Sequence, residues 1–184
     1  MRVKDIQFKN AEHVIEEIKS MNVKGGSPFG RAAAWAFRLA CEQEEFQDTG
    51  QLQKRMEHIA QQMLDLKPTM ATIFNTWQLV KQTKDVYRQK QAVISLCSNI
   101  IAYSFEAVEQ LGVYGASLIQ DEEVIMMHSY SSTLMGIFLK AAEMGRKFTV
   151  ICTESRPLRE SRLAVNMLRS AGVSVIYITD ASIY

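Results

Sequence analysis

The 184 residues carry 21 Lys and Arg against 20 Asp and Glu, a formal net charge of +1, with 47% hydrophobic and 22% charged content; this is the composition of an ordinary globular chain, long enough for one substantial core or one core with a helical companion. Up to Gln110 there are 14 basic and 13 acidic residues, and beyond it 7 of each, so no half is basic and no nucleic-acid partner is expected. "MRVKDIQFKN" lacks an apolar core of signal-peptide length and no uninterrupted apolar run approaches a membrane span, so a cytoplasmic protein with no membrane partner is expected.

The first 110 or so residues read as helical throughout. "NAEHVIEEIKSM" places Val14, Ile15, Ile18 and Met21 on one helix-period stripe, and "KGG" at 24–26 ends that segment. "SPFGRAAAWAFRLAC" follows, with Ser27 expected as the cap and Pro28 as the first helical residue. It is apolar on nearly every side, which predicts a central, buried helix. Further helices are expected at about 50–66, 70–82 and 85–110, with Pro68 marking one junction.

After "QLGVYGAS" the character changes. "ASLIQDEEVIMMH" reads as two short strands around an acidic turn, "SSTLMGIFLKAAEMG" as a helix ending at Gly145, and "KFTVICTES" as a strand. "RPLRESRLAVNMLRSAG" then reads as a helix closed by Gly172, and "VSVIYITD" as a further strand. Strand, helix and parallel strand with short joints is the crossover unit of an open α/β sheet. The fold class is therefore α/β, a helical domain over 1–111 followed by a partial Rossmann-like parallel domain over 112–184.

Cys41, Cys97 and Cys152 are an odd number, widely spaced and each in apolar sequence, which fits neither a disulfide framework nor a zinc site. Buried free thiols are expected, with no metal and no cofactor. Ligands of parallel sheets bind beyond the carboxyl ends of the strands, where helix N-termini also point. Three successive strands end there in polar groups: His128-Ser129, then Thr153-Glu154-Ser155-Arg156, then Thr179-Asp180. Taken singly, each has a structural reading: serines cap helices, Pro157 suits a first turn, and Arg156, Arg159 and Arg162 form a solvated face. Their alignment on one edge is what points to a ligand.

"KGGSPFGRAAAWAF", "LKPTMATIFN", "GASLIQDEEVIMMHSYSS" and "TESRPLRESRLAVNMLRSAGVSVIYITDAS" together resemble the superfamily of translation initiation factor 2B regulatory subunits, which also includes methylthioribose-1-phosphate isomerase and ribose-1,5-bisphosphate isomerase. The resemblance runs through almost the whole chain in order. It implies a phosphorylated-sugar or nucleotide pocket between a helical and a Rossmann-like domain, and initiation-factor-like protein partners; self-association is expected on a separate ground, the unpaired edge and apolar surface of a shortened sheet. Carried over residue by residue, it implies phosphate contacts from Lys24, Gly25, Gly26 and Lys67, ligand contacts from His128, Glu154 and Arg156, and catalytic positions at Ser129 and Asp180.

This chain departs from the isomerases at several of these positions. Lys24-Gly25-Gly26 stands where they have Arg-Gly-Ala, and Lys67 where they have an arginine before Pro-Thr; lysine keeps the charge but loses the bidentate fork. Ser129 stands where they have the catalytic cysteine, giving "HSYS", and an unassisted hydroxyl is a far poorer acid or base than a thiol. Asp180 keeps the other catalytic position. The family continues past the "DAS" block, so the chain is expected to be a C-terminally shortened relative. The expected function is an initiation factor 2B-like binding protein without catalysis, the alternative being an aldose-ketose isomerase acting on a sugar 1-phosphate.

Overall fold

A computed structural model describes residues 6–82 and 90–183. These divide into two compact units, one running through Glu106 and the other beginning at Ala107.

The first unit is all helical. Helix α1 (Ala11–Lys19) starts where the Asn10 side chain accepts the His13 N–H at 2.8 Å, and it buries Val14 and Ile18. Helix α2 (Gly26–Gln43) is the central element, with Ala32, Ala33, Ala34, Ala36 and Phe37 all buried. Its small side chains let neighbouring helices approach closely, and Gly30 is the tightest point, where an added Cβ would lie 3.3 Å from Thr72 Cβ. Helix α3 (Thr49–Leu66) is capped by Asp48, which accepts the Gln51 N–H at 2.8 Å, and buries the stripe Leu52, Met56, Ile59 and Met63. Helix α4 (Ala71–Gln82) follows the Lys67-Pro68 junction. Arg55 ties this unit together from α3, reaching Glu44 through Nε at 2.9 Å and Nη2 at 2.7 Å.

The start of α2 differs from the sequence expectation. Gly25 is the cap, no side chain caps the helix, and Ser27 and Pro28 are its second and third residues. The reason is conformational: Gly25 sits at φ 90°, ψ 151°, a region open essentially to glycine, and this lets the chain enter the helix two residues early. Pro28 still lacks no bond, because the first intrahelical donor is Phe29, whose N–H reaches the Gly25 carbonyl at 3.3 Å.

Helix α5 (Lys90–Leu118) is the longest element; residues 85–89 of the expected helix lie outside the described residues. By length and composition α5 is sufficient to cross a membrane; its Val93 and Cys97 are in the buried cluster of the first unit and its Ala116 in that of the second. Its extension through Leu118 corrects the expectation of a strand at residues 116–119: a single strand, β1 (Val124–Met127), precedes α6 (Ser132–Glu143). The glycines of "QLGVYGAS" serve helix packing here rather than a break. A Cβ on Gly112 would lie 3.3 Å from the Gly136 carbonyl, and one on Gly115 would lie 2.6 Å from Ile137 Cδ1.

Strands β1, β2 (Thr149–Thr153) and β3 (Ser174–Ile178) form a parallel sheet in sequence order, joined by α6 and by α7 (Ser161–Ser170). On one face, Met127, Val150 and Cys152 are buried with Met135 and Phe138 of α6 and Ala164 and Leu168 of α7. On the other, Met126, Ile151 and Ile176 pair in register across the three strands, with Met126 and Ile176 about half exposed. Helix α7 starts five residues later than "RPLRESRL" suggests. Residues 156–160 instead form a turn closed by the Arg159 N–H on the Ser155 carbonyl at 2.7 Å, with Ser155 and Arg159 both at positive φ. Pro157 therefore lies outside the helix, after a cis Arg156–Pro157 bond.

Candidate functional site

The parallel register brings Met127, Cys152 and Tyr177 level, so the residues that follow them share one edge of the sheet. His128 Nδ1 lies 2.7 Å from Thr153 Oγ1, linking the ends of β1 and β2. Ser129 follows at φ 65°, and its backbone N–H donates to Ser155 Oγ at 2.8 Å. Ser155, at φ 55° and buried, donates its own N–H to Asp180 Oδ1 at 2.8 Å, and Arg156 N–H donates to Asp180 Oδ2 at 2.8 Å. Two non-glycine residues held in the left-handed region side by side are costly, and such geometry persists only where surrounding bonds fix it.

The hydroxyls after β1 divide into separate tasks. Ser131 accepts the Leu134 N–H at 3.3 Å and caps α6, Ser132 is buried, and Ser129 places its Oγ 3.4 Å from Glu160 Oε2. Tyr130 is half-buried, and burial pushes its phenol above the ordinary value. Across the loop, Ser161 Oγ donates to the Thr153 carbonyl and anchors the first turn of α7.

Charge at this edge is arranged in pairs. Backbone donation from Arg156, then from Ser155, holds the Asp180 carboxyl below the ordinary carboxylate range against the opposing effect of desolvation. Glu154 meets Arg156 Nε at 2.8 Å and Arg159 Nε at 3.6 Å. Arg156 is nonetheless 62% exposed and presents its remaining guanidinium donors to solvent.

The first unit carries a second group. Lys24 and Gly25 lead into α2, whose first turn contains no acidic residue and no side-chain cap, leaving a positive dipole end beside Lys24. Thr72 Oγ1 donates to the Gly26 carbonyl at 2.8 Å and fixes this loop from α4. Lys67, the residue that ends α3, places Nζ against Met21 Sδ, so its ammonium reaches the same α1–α2 connection. Thus Lys24, Gly25, Gly26 and Lys67 gather in one unit, and His128, Ser129, Glu154, Arg156 and Asp180 in the other.

Ser155, Glu160, Ser161 and Thr72 were not singled out from the sequence for these contacts, which span 26, 31, 8 and 46 residues. Among the described residues no cluster of His, Cys, Asp and Glu is placed to hold a metal ion. A cavity of about 320 Å³ lined by Gly145, Arg146, Phe148, Gly172 and Val173 lies at the amino ends of β2 and β3, the opposite edge from the polar cluster.

The Initiation factor 2 subunit family matches residues 22–184. Ribose 1,5-bisphosphate isomerase of Thermococcus kodakarensis is 28% identical over 182 residues, covering 95% of this chain and 56% of the relative. A putative translation initiation factor eIF-2B subunit 2-like protein of Pyrococcus furiosus is 31% identical over 170 residues, covering 92% and 59%. Among solved structures, translation initiation factor eIF-2B of Pyrococcus horikoshii OT3 superposes with a TM-score of 0.82 at 28% identity, covering 94% of this chain and 60% of that one. The chain spans a little over half the length of the curated relatives it matches.

Proposed function

Because the chain belongs to the Initiation factor 2 subunit family, we propose that it is an initiation factor 2B-like protein that binds a phosphorylated sugar or nucleotide without turning it over. Ser129 carries this reading. Its hydroxyl faces a carboxylate at 3.4 Å, and the neighbouring His128 directs Nδ1 to Thr153 instead, so no imidazole contact activates it. Lys24, Gly25, Gly26 and Lys67 are assigned to phosphate, with His128, Glu154 and Arg156 as further ligand contacts.

The setting of this activity is the cytoplasm, in assembly with further copies or with initiation-factor-like proteins. The half-exposed apolar row through Met126 and Ile176 supports association. The test is calorimetric titration of the native chain with ribose 1,5-bisphosphate, methylthioribose 1-phosphate and AMP. Binding of at least one, weakened by Lys24→Ala or Lys67→Ala, is expected. Failure of all three to bind at about 1 mM, a free energy of roughly −4 kcal/mol, overturns the reading.

A second reading, an aldose-ketose isomerase acting on a sugar 1-phosphate, is favoured by one observation. Asp180 supplies a carboxylate at the end of β3, on the same edge as Ser129. Turnover of either sugar phosphate decides between the two.

A further inference from the structure

We propose that the outer face of α7 is a docking surface for an acidic amphipathic helix of a partner protein. This face runs down α7 away from the polar edge of the sheet, and the proposal is independent of any ligand bound at that edge.

Helix α7 has no acidic residue within Ser161–Ser170. Its inner side, Ala164, Val165 and Leu168, is buried with Val150 and Cys152 of the sheet. Its exposed positions are Arg162, Leu163, Asn166, Arg169 and Ser170. Arg162, Asn166 and Arg169 stand at i, i+4 and i+7, so they form one rail, with the two arginines two turns and about 10.5 Å apart along the axis. Leu163, 41% exposed, and the partly buried Met167 form an apolar rail beside it, again at i and i+4.

Pairing sets these two arginines apart. Among the described residues of the second unit, Lys140 is paired with Glu143, Arg146 with Asp121, and Arg156 and Arg159 with Glu154. Neither Arg162 nor Arg169 has an ion pair among the described residues, and no acidic residue stands three or four positions from either. Lys147, the other cation without one, lies apart from this face, ahead of β2. The helix thus forgoes the pairs that would occupy its own guanidinium groups and keeps both forks open to a carboxylate from outside.

Charge and shape together select the occupant. Each planar fork matches a carboxylate bidentately, and the Leu163–Met167 rail alongside calls for apolar side chains in the same partner. A helix with acidic residues seven apart and apolar residues between them presents both at the pitch of α7. Polyanions fit less well: nucleic-acid binding rests on many phosphate contacts, and a basic cluster that holds anionic lipid takes roughly four to eight Lys or Arg. This face offers two arginines and a leucine.

The probe is a helix-favouring synthetic peptide with two glutamates seven residues apart and two leucines between them on the same face; its control has the same composition with the glutamates on opposite faces. Titrated into the native chain at low salt and followed by backbone amide shifts, the first peptide is expected to bind with a Kd of about 0.1 mM, about tenfold more tightly than the control, and to shift α7. The double variant Arg162→Gln, Arg169→Gln should weaken it about tenfold and Leu163→Ala about threefold. With both arginines replaced by glutamate, Arg162→Glu and Arg169→Glu, the chain should release this peptide and take up the version in which both glutamates are arginines. Equal binding of the two isomers, unchanged affinity in the Arg162→Gln, Arg169→Gln variant, shifts confined to elements other than α7, or no binding at about 1 mM overturns the proposal. Tighter binding to phosphatidylcholine vesicles containing phosphatidylserine, or to a single-stranded DNA oligonucleotide, lost in that same variant, overturns it in favour of a lipid or nucleic-acid partner.

Discussion

The carboxylate of Asp180 is fastened to the backbone N–H of Ser155 at 2.8 Å, joining the end of β3 to the loop that follows β2. With Arg156 as second donor, the loop that carries Ser155 cannot move without breaking a charge-assisted contact.

Asp180 should therefore titrate low. The two backbone donors favour its ionised form, so the fastening is complete above the ordinary aspartate value of 3.8 and is lost as pH falls through the lower native value. A carbon-detected NMR titration is expected to place its midpoint below 3.8. A midpoint at or above that value would show that the carboxylate is not held by the loop. In Asp180→Asn, faster amide exchange at Ser155 and Arg156 is the matching result.

Gly115→Ala should destabilise the second unit by about 1–3 kcal/mol, the range for overpacking a tight contact. The new Cβ would meet Ile137 Cγ1 and Cδ1 at 2.6 Å. Combining it with Ile137→Ala should recover part of the loss, giving a cost smaller than the sum of the single changes in denaturant unfolding. Strict additivity would mean that α5 and α6 do not meet through this pair.

Cys41 and Cys97 are both buried, and burial pushes each thiol up to about 12; Cys152 is raised for the same reason. Native protein at pH 8 should react with a thiol-specific disulfide reagent only on the timescale of unfolding. Rapid stoichiometric labelling would contradict the burial of these three side chains.

Ser129→Cys separates chemistry from binding. The native chain is expected to show no turnover of ribose 1,5-bisphosphate or methylthioribose 1-phosphate, because a serine hydroxyl with no imidazole contact exchanges its proton far less readily than a thiol. Gain of turnover in Ser129→Cys would locate the silence in that one side chain. Robust native turnover, abolished by Asp180→Asn, would establish the isomerase reading instead.

Sedimentation velocity at micromolar concentration should show a dimer or larger species. The in-register row through Met126 and Ile176 leaves both side chains about half exposed on one face of a parallel sheet, whereas such sheets are ordinarily covered on both sides. A monomer across that range would remove self-association from the proposed function.

Much of this architecture was legible because local signals and packing agreed. The Val14–Ile18 stripe and the apolar runs of β1, β2 and β3 each point the same way as the tertiary contacts they make. The reading failed where a residue serves a distant neighbour. Gly112 and Gly115 look like breakers locally and become helix residues because α6 needs their missing side chains. Ser27 looks like a cap, but Gly25 can enter a conformation that moves the helix start ahead of it. At the site, strand ends could be aligned from topology alone, since parallel pairing dictates which residues share an edge. The hub role of Ser155 and the turn of Glu160 away from its helix depend on contacts spanning 26 and 31 residues, for which no spacing rule exists.

The left-handed backbone at Ser129 and Ser155 also sets which substitutions these positions tolerate. Tolerance there should rank by branching at Cβ before it ranks by chemistry. At Ser129, glycine and asparagine, at home at positive φ, should preserve the loop even though glycine removes the hydroxyl, while threonine, which keeps it, should be rejected along with valine and isoleucine; at Ser155 glycine also removes the acceptor of the Ser129 N–H. Cysteine is unbranched and close to serine in shape, so an exchange between the two at position 129 is nearly silent to the backbone. Serine and cysteine are thus interchangeable to the fold at the one position where they differ most in reactivity, and a lineage could gain or lose a thiol there while the rest of the scaffold registers little change.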